Sequence, residues 1–471
     1  MLLFLSPDSW LAHLCGPRID SSWFYTAGRA WMEGQTPYVD FADSKGPVLW
    51  LIYGIGYLMS PANYIGIFFQ SVIYFAVSYY FIWLTARLYT HRRAALFVLF
   101  LMPLLLFFRN RHIETRAEDF TLPWIFMSIY ITCRCLMQPT RSFIRKGAFW
   151  LGFGMMFCLL VKWNVFFMMG GTALIVTAVS LKQKSADAIV YGLGGMTVLA
   201  APFVIYFACT GTLSAFIQEY FVNTYLITDT EKTLGKMIYT FVVTFCVNKT
   251  ETMKTFAIVL PFVGMWLFCH RHRVSYWLIF SYVPFYLFLA FKAPFFHYCC
   301  MAVPYYIFLL IVLTDVLQRW ISRLTPFALG TALTVIYVGT IAISIRNTNS
   351  IFKSNDYEPV WNAMQEIMCR KDKPTFMFSG IDMGEGLLSR ALPGCRYWAR
   401  QFGSTPAMDQ ERKDAIQGHR LDFIVITDDS QEGIIPFIEK CGYRQCKAPV
   451  TVDGQTVTKA LPLYERPTDQ Q

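Results

Sequence analysis

Residues 19–56 read IDSSWFYTAGRAWMEGQTPYVDFADSKGPVLWLIYGIG. Asp20 opens a stretch whose apolar residues recur at helical spacing, a turn follows at Pro37 and Tyr38, and a Lys-Gly-Pro step at Lys45 leads into an apolar run. An acid, an amphipathic helix and a turn that ends in an apolar segment describe a loop lying along the edge of a membrane. The rest of the chain has the matching composition. Of 471 residues 55% are hydrophobic and only 15% charged, with a mean hydropathy of +0.39, which is too apolar for an ordinary soluble enzyme. The apolar residues fall in blocks, and roughly 20 residues at about 1.5 Å each cross the hydrocarbon core as a helix. A helix satisfies its own backbone there, and a loop does not.

Ten such blocks are expected to span, near Tyr64–Tyr89, Ala94–Phe108, Phe120–Leu136, Gly147–Val161, Asn164–Leu181, Ala188–Ala208, Phe256–Cys269, Tyr276–Phe291, Cys299–Thr314 and Phe327–Ile345. Several fall short of the usual ~20 residues, so their ends are soft and a pair could be re-entrant. Basic residues mark every second loop: Arg92 and Arg93; Arg141, Arg145 and Lys146; Lys182 and Lys184; Arg271 and Arg273; Arg319 and Arg323. The positive-inside rule puts these loops in the cytoplasm. Residues 1–346 hold fourteen acids, of which only Asp187 and Asp315 fall in the basic loops. The other twelve gather on the opposite face. Topology alone permits that distribution; an outward-facing polar site would require it.

The opening MLLFLSPDSWLAHLCG is apolar but broken by Pro7 and Asp8. It lacks the basic start and small-residue cleavage site of a signal peptide, and reads as the tail of a first span whose start is lost. Residues 209–255 form a long outer loop whose LSAFIQEYFVNTYLI and LGKMIYTFVVTF segments suit amphipathic helices on the membrane surface. After residue 346 the composition changes. The last 125 residues carry 15 Lys and Arg against 17 Asp and Glu, whereas residues 1–346 carry 26 against 14. PTFMFSGI and LDFIVITDD suit buried strands, helices are expected at 409–417 and 434–441, and a strand pair near VTVDGQTVTKALPLYER. The expected architecture is an all-α polytopic membrane domain (1–346, outer loops 5–60 and 209–255) followed by a small α/β soluble domain (347–471) outside the membrane. Cys369, Cys395, Cys441 and Cys446 in that domain are candidates for disulfides.

Residues 19–56 also carry a likeness. They resemble the first outer loop of C-type glycosyltransferases, in particular the bacterial relatives of dolichyl-phosphate-mannose protein mannosyltransferases and the lipid A aminoarabinose transferase. TRAEDFTLP (115–123) is similar to that family's second acidic loop, and FFHYCCMAVPYY (295–306) to its late His-Tyr and Pro segment. The resemblance runs over roughly residues 18–320. It implies an enzyme, a hexosyl- or pentosyltransferase, that takes a sugar from a polyprenyl-phosphate carrier. The acceptor would be a glycan, lipid or protein, with membrane lipid around it and no nucleic acid involved. The setting would be a bacterial inner membrane with the C-terminal domain in the periplasm.

Such a reaction needs a carboxylate to take the acceptor proton and cations to hold the departing phosphate. By the resemblance Asp20 is the candidate base; Asp-Ser-Ser before a helix is equally a cap signal. Glu118 takes the second acidic position, with Asp119 as its neighbour, and either could instead favour a helix start. Lys45 matches the family's phosphate-binding lysine. The metal-binding Glu that precedes that lysine in aminoarabinose transferases is replaced here by Ser44, so no metal site carries over, although a divalent ion is compatible with the chemistry. Arg109, Arg111 and Arg116 lie where topology asks for no cations; they suit a phosphate clamp or a network with Glu114, Glu118 and Asp119. Lys162, inside LLVKWNVFF, is costly in lipid unless it reaches the interface or meets an anion, and the resemblance places it near the donor phosphate. His297 and Tyr298 suit either the donor phosphate or an aromatic belt. A transporter or flippase would place ionisable residues at mid-bilayer and show internal repeats, and a non-enzymatic scaffold with a sensing domain would leave the outer acids replaceable.

Overall fold

The computed structural model describes residues 19–107, 117–227, 235, 252–284, 296–348, 359–380, 390–399, 404–427, 434–452 and 455–466. Helices α1 (Ile19–Met32) and α2 (Pro47–Met59) come first and cross closely. A Cβ on Gly28 would stand 2.5 Å from the backbone nitrogen of Gly54, so the crossing admits no side chain there. Then follow α3 (Ile65–Tyr89), α4 (Arg92–Phe107), a 3₁₀ turn at Asp119–Thr121, α5 (Leu122–Met137), α6 (Arg141–Val161), α7 (Trp163–Met168), α8 (Gly170–Lys182) and α9 (Asp187–Cys209). A surface segment runs through α10 (Leu213–Phe216), a π-helical stretch (Ile217–Asn223) and α11 (Thr224–Ile227). The remaining helices of this part are α12 (Thr252–His272), α13 (Trp277–Phe280), a 3₁₀ segment (Phe296–Tyr305), α14 (Tyr306–Val316), α15 (Gln318–Arg323) and α16 (Pro326–Thr348).

Each of the ten expected blocks holds some helix among the described residues, the Tyr276–Phe291 block only the four residues of α13, and the count of ten spans is not confirmed. Six helices among the described residues are long and apolar enough to cross a membrane: Ile65–Tyr89, Asp119–Met137, Arg141–Val161, Trp163–Lys182, Asp187–Cys209 and Pro326–Ile343. The chain is an integral membrane protein. The Asp119–Met137 span is the most enclosed, with 72% of its apolar window buried, whereas Pro326–Ile343 is only 6% buried and stands at the rim. Four of the spans alternate up and down from Asp119 to Cys209 with short links. Arg141, Arg145, Lys146, Lys182 and Lys184 therefore share one membrane edge, while Glu118, Lys162 and Cys209 share the other. The two acids on the basic edge are both paired. Asp187 accepts from Arg141 at 2.6 Å and from Arg145 at 3.0 Å, and Asp315 pairs with Arg271.

The C-terminal part comprises α17 (Pro359–Met368), β1 (Thr375–Phe378), β2 (Leu392–Pro393), α18 (Pro406–Gln417), β3 (Phe423–Val425), α19 (Ile434–Lys440), β4 (Arg444–Val452) and β5 (Gln455–Glu465). The sheet order is β2-β1-β3-β5-β4. β1 runs parallel to β2 and β3, and β5 antiparallel to β3 and β4. Thr405 caps α18 by accepting from the Met408 N–H, and Pro406 at the first helical position gives up no bond. None of the four cysteines expected to be available for disulfides is bridged; Cys395 is buried and Cys369 exposed, so the unit is held by its apolar core instead.

That core does not stop at the unit's edge. Trp398 packs on Phe376 (centroids 5.5 Å apart), on Phe378 (5.8 Å) and on Trp23 of α1 (5.5 Å). Polar contacts frame this joint. Arg29 donates to the Ala391 carbonyl, Gln35 donates to the Pro393 carbonyl at 2.8 Å, and Lys373 pairs with Glu33 at 2.6 Å. The Lys373 ammonium, with the Tyr57 hydroxyl beside it, holds the Glu33 carboxyl below the usual carboxylate range.

Candidate active site

Lys45 is positioned by the turn that precedes it. Tyr38 sits in left-handed backbone (φ 67°) and its N–H donates to the Phe41 carbonyl at 2.7 Å, closing a tight turn. Its ring is buried among Trp50 (4.6 Å), Phe216 (5.2 Å) and Phe207 (5.6 Å), and its hydroxyl donates to the Lys45 carbonyl at 3.1 Å. The next residue touches a different part of the chain. The Gly46 N–H donates to the Val161 carbonyl at 3.1 Å, and a Cβ at Gly46 would collide with the Leu160 carbonyl. Only glycine fits this approach.

The receiving surface is the tip of a helical hairpin. Helix α6 ends at Val161, Lys162 alone is extended (φ −159°, ψ 107°), and α7 begins at Trp163. One residue thus links two spans, which frees carbonyls at the end of α6. Val161 accepts from Gly46 and Leu159 from the Tyr220 hydroxyl. Lys162 stands at the membrane edge and not at mid-bilayer, and its ammonium forms a buried ion pair with Glu118. The Glu118 carbonyl accepts from the Thr121 N–H at 3.0 Å and hydroxyl at 2.6 Å, which fixes the carboxylate's base.

The two lysines therefore differ. Lys162 is locked to its carboxylate. Lys45 is partly exposed; its Nζ is 3.9 Å from Asp43 Oδ1, 3.2 Å from Ser44 Oγ and 5.6 Å from the centre of the Phe24 ring. Asp43 is 4% exposed at its side chain, and its second oxygen is buried with no hydrogen-bond partner, as is Asn164 Oδ1 two residues past Lys162. Asp20 lies in the first described turn of α1, one turn before Phe24 and so on the same helix face. It is half-buried and has no hydrogen-bond or ion-pair partner among the described residues. Asp119, beside Glu118, opens the 3₁₀ turn and is likewise half-buried. Arg109, Arg111 and Arg116 lie outside the described residues. His297 and Tyr298 fall in the 3₁₀ segment Phe296–Tyr305, and their side chains lie outside the description. Among the described residues no three His, Cys, Asp or Glu side chains gather as a metal-binding group.

No family model matches the chain, and no curated protein does. Solved structures do. The crystal structure of ArnT from Cupriavidus metallidurans bound to undecaprenyl phosphate superposes with a TM-score of 0.63 at 12% identity, covering 99% of this chain and 96% of that one. The apo structure of the same ArnT gives a TM-score of 0.59 at 13% identity, over 97% and 95%. The chain has the ArnT fold. The likeness takes in the helical part and the α/β unit together, since almost nothing of either chain is left out. ArnT is an aminoarabinose transferase of the C-type glycosyltransferase kind, which agrees with the resemblance read from the three loop segments.

Several residues that shape the site have weak signals in the sequence. Tyr38 is visible as a turn residue but not as the buried prop of Lys45. Tyr220 and Asn164 sit in apolar runs and give no sign of facing the hairpin tip. Glu219 belongs to the outer acids, and besides the local Asn223 it takes two partners from the far end of the chain: Arg396 at 3.2 Å and the Tyr397 hydroxyl at 2.8 Å.

Proposed function

We propose that this protein is a membrane glycosyltransferase that moves a sugar from a polyprenyl-phosphate carrier to an acceptor hydroxyl at the outer face of the membrane. The observation that carries this reading is the partly exposed, loosely held Lys45 ammonium beside the hairpin tip, in a fold whose neighbour ArnT binds undecaprenyl phosphate. A donor phosphate would draw Lys45 from Asp43, since a 3.9 Å contact gives up little. Asp20 on the Phe24 face of α1 would take the acceptor proton as the acceptor oxygen attacks the anomeric carbon. The bond from that carbon to the phosphate oxygen breaks and the phosphate keeps the electron pair. Lys45 would stabilise the charge that develops there. Glu118 and Lys162 then hold the tip in shape and are not the reacting groups. The outer side is supported by the basic residues of the opposite edge, and residues 347–471 would form a periplasmic domain over the site.

The test is binding of undecaprenyl phosphate to the purified full-length protein, wild type against Lys45→Ala. The reading expects saturable binding that weakens by about tenfold or more in the variant while the melting temperature holds. No binding by the wild type, or equal binding by both, would count against it. Glycans and accumulated polyprenyl-linked sugars in a deletion strain would then name the donor sugar and acceptor.

A further inference from the structure

A basic cavity lies away from Lys45, at the joint between the α/β unit and the membrane part. It encloses about 660 Å³ and is lined by Arg370, Lys371, Lys373 and Arg390 from the α/β unit and by Tyr57 and Ala62 from the membrane side. Its acids are Glu33 and Asp372. Glu33 is taken by Lys373, and Lys371 is shared between Asp422 at 3.4 Å and Glu465 at 3.3 Å. Among the described residues Arg370 has only an exposed contact to Glu366 at 3.8 Å, and Arg390 makes no ion pair. The cavity therefore holds two guanidinium groups free to bind an anion. Its backbone is also unusual: two of the six non-glycine residues with left-handed φ line it, Lys373 at 46° and Arg390 at 52°. Such conformations collect at ligand clamps.

The height of the cavity says which anion. Ala62 lies just ahead of α3, a membrane span, so the mouth opens at the level where that span enters lipid. The turn of α2 that sends Tyr57 into the cavity puts Ile55, Leu58 and Met59 outward, exposed and spaced i, i+3, i+4, and the first turns of α3 expose Phe69 and Ile73. An apolar skirt beneath a basic cavity at the interface matches a glycerophospholipid, with acyl chains on the skirt and the phosphate among the arginines.

We infer that this cavity is a binding site for an anionic glycerophospholipid that fastens the α/β unit to the membrane. The inference does not rest on the transferase reading. In the test, the full-length protein in detergent is titrated with phosphatidylglycerol, with phosphatidylcholine of the same chains, and with inorganic phosphate, and bound lipid is counted by native mass spectrometry. Phosphatidylglycerol should be retained about tenfold or more over phosphatidylcholine, and inorganic phosphate at equal concentration should not displace it. Arg370→Gln with Arg390→Asn, asparagine being tolerant of left-handed backbone, should abolish the preference. Arg370→Lys with Arg390→Lys should keep it. If the Arg390→Asn protein does not fold, Arg370→Gln alone should still lower the preference severalfold. Equal retention of the two lipids, a preference that survives neutralisation, or displacement by phosphate, which would mark a site for soluble anions, would each overturn the proposal.

Discussion

At the residue scale, Asp20 has no hydrogen-bond or ion-pair partner among the described residues, and the proposed reaction needs an acid that can take a proton. Asp20→Asn keeps the size of the side chain and removes the proton acceptor. Transfer should fall by roughly 10² to 10⁴, the usual loss for a general base. The melting temperature should move little, because a first-turn acid contributes about 0.3–1 kcal/mol through the helix dipole. A fully active Asp20→Asn protein would leave Asp20 as a dipole residue. The Glu118 and Lys162 pair behaves in the opposite way. Removing one member strands a buried charge, so Lys162→Met should destabilise by about 3–5 kcal/mol, whereas Lys162→Met with Glu118→Leu should recover most of that loss. A double variant that stays folded and still binds the donor phosphate would show a structural pair. One that folds but no longer binds would return Lys162 to the donor site.

At the element scale, the contact that matters most is Gly46 against the end of α6. Gly46→Ala must push the Lys45 loop away from the hairpin tip, so donor affinity should drop at least as far as in Lys45→Ala, with a lower melting temperature. Gly170→Ala is the control. A Cβ there meets nothing within 4 Å, and alanine in a helix is favoured by about 0.5–1 kcal/mol. Equal melting temperatures for the two variants would refute the close approach. This scale also shows how far the sequence could be read. Helix blocks announce themselves by hydropathy, and strands β1, β3, β4 and β5 by short runs bounded by turns. The two-residue β2, half of it proline, has no such signal; α17 does carry an apolar face at helical spacing, Ala363, Met364, Ile367 and Met368, and went unread. The candidate site was legible only as single residues, through the family likeness, among them Asp20, Lys45, Glu118 and Lys162. Their grouping was not, since one backbone hydrogen bond joins Gly46 to Val161 and no periodicity encodes it. Lys162 looked anomalous because its neighbours are apolar; it is ordinary once the helix is seen to end there.

At the scale of the whole molecule, sidedness is the property on which the proposed chemistry depends. The basic residues of one edge and the acids of the other give a definite expectation. Reporter fusions after Arg92, Lys182 and Arg271 should be cytoplasmic, and fusions beyond residue 347 should lie on the other side. An Arg271 fusion on the outer side would invert the molecule and with it the face at which Lys45 works. The α/β unit shares an aromatic core with α1, the helix that carries Asp20, through Trp23 and Trp398.

The single-residue link at Lys162 has a consequence for how the protein is made. Translation delivers Glu118 and its span first, and the hairpin α6 to α8 afterwards. When Lys162 leaves the ribosome its counter-ion is already waiting at the membrane edge. The hairpin can enter as a unit with no loop to thread, and its one awkward charge is neutralised on arrival. Biogenesis, and not only the finished fold, thus has a stake in the chain order of those two residues.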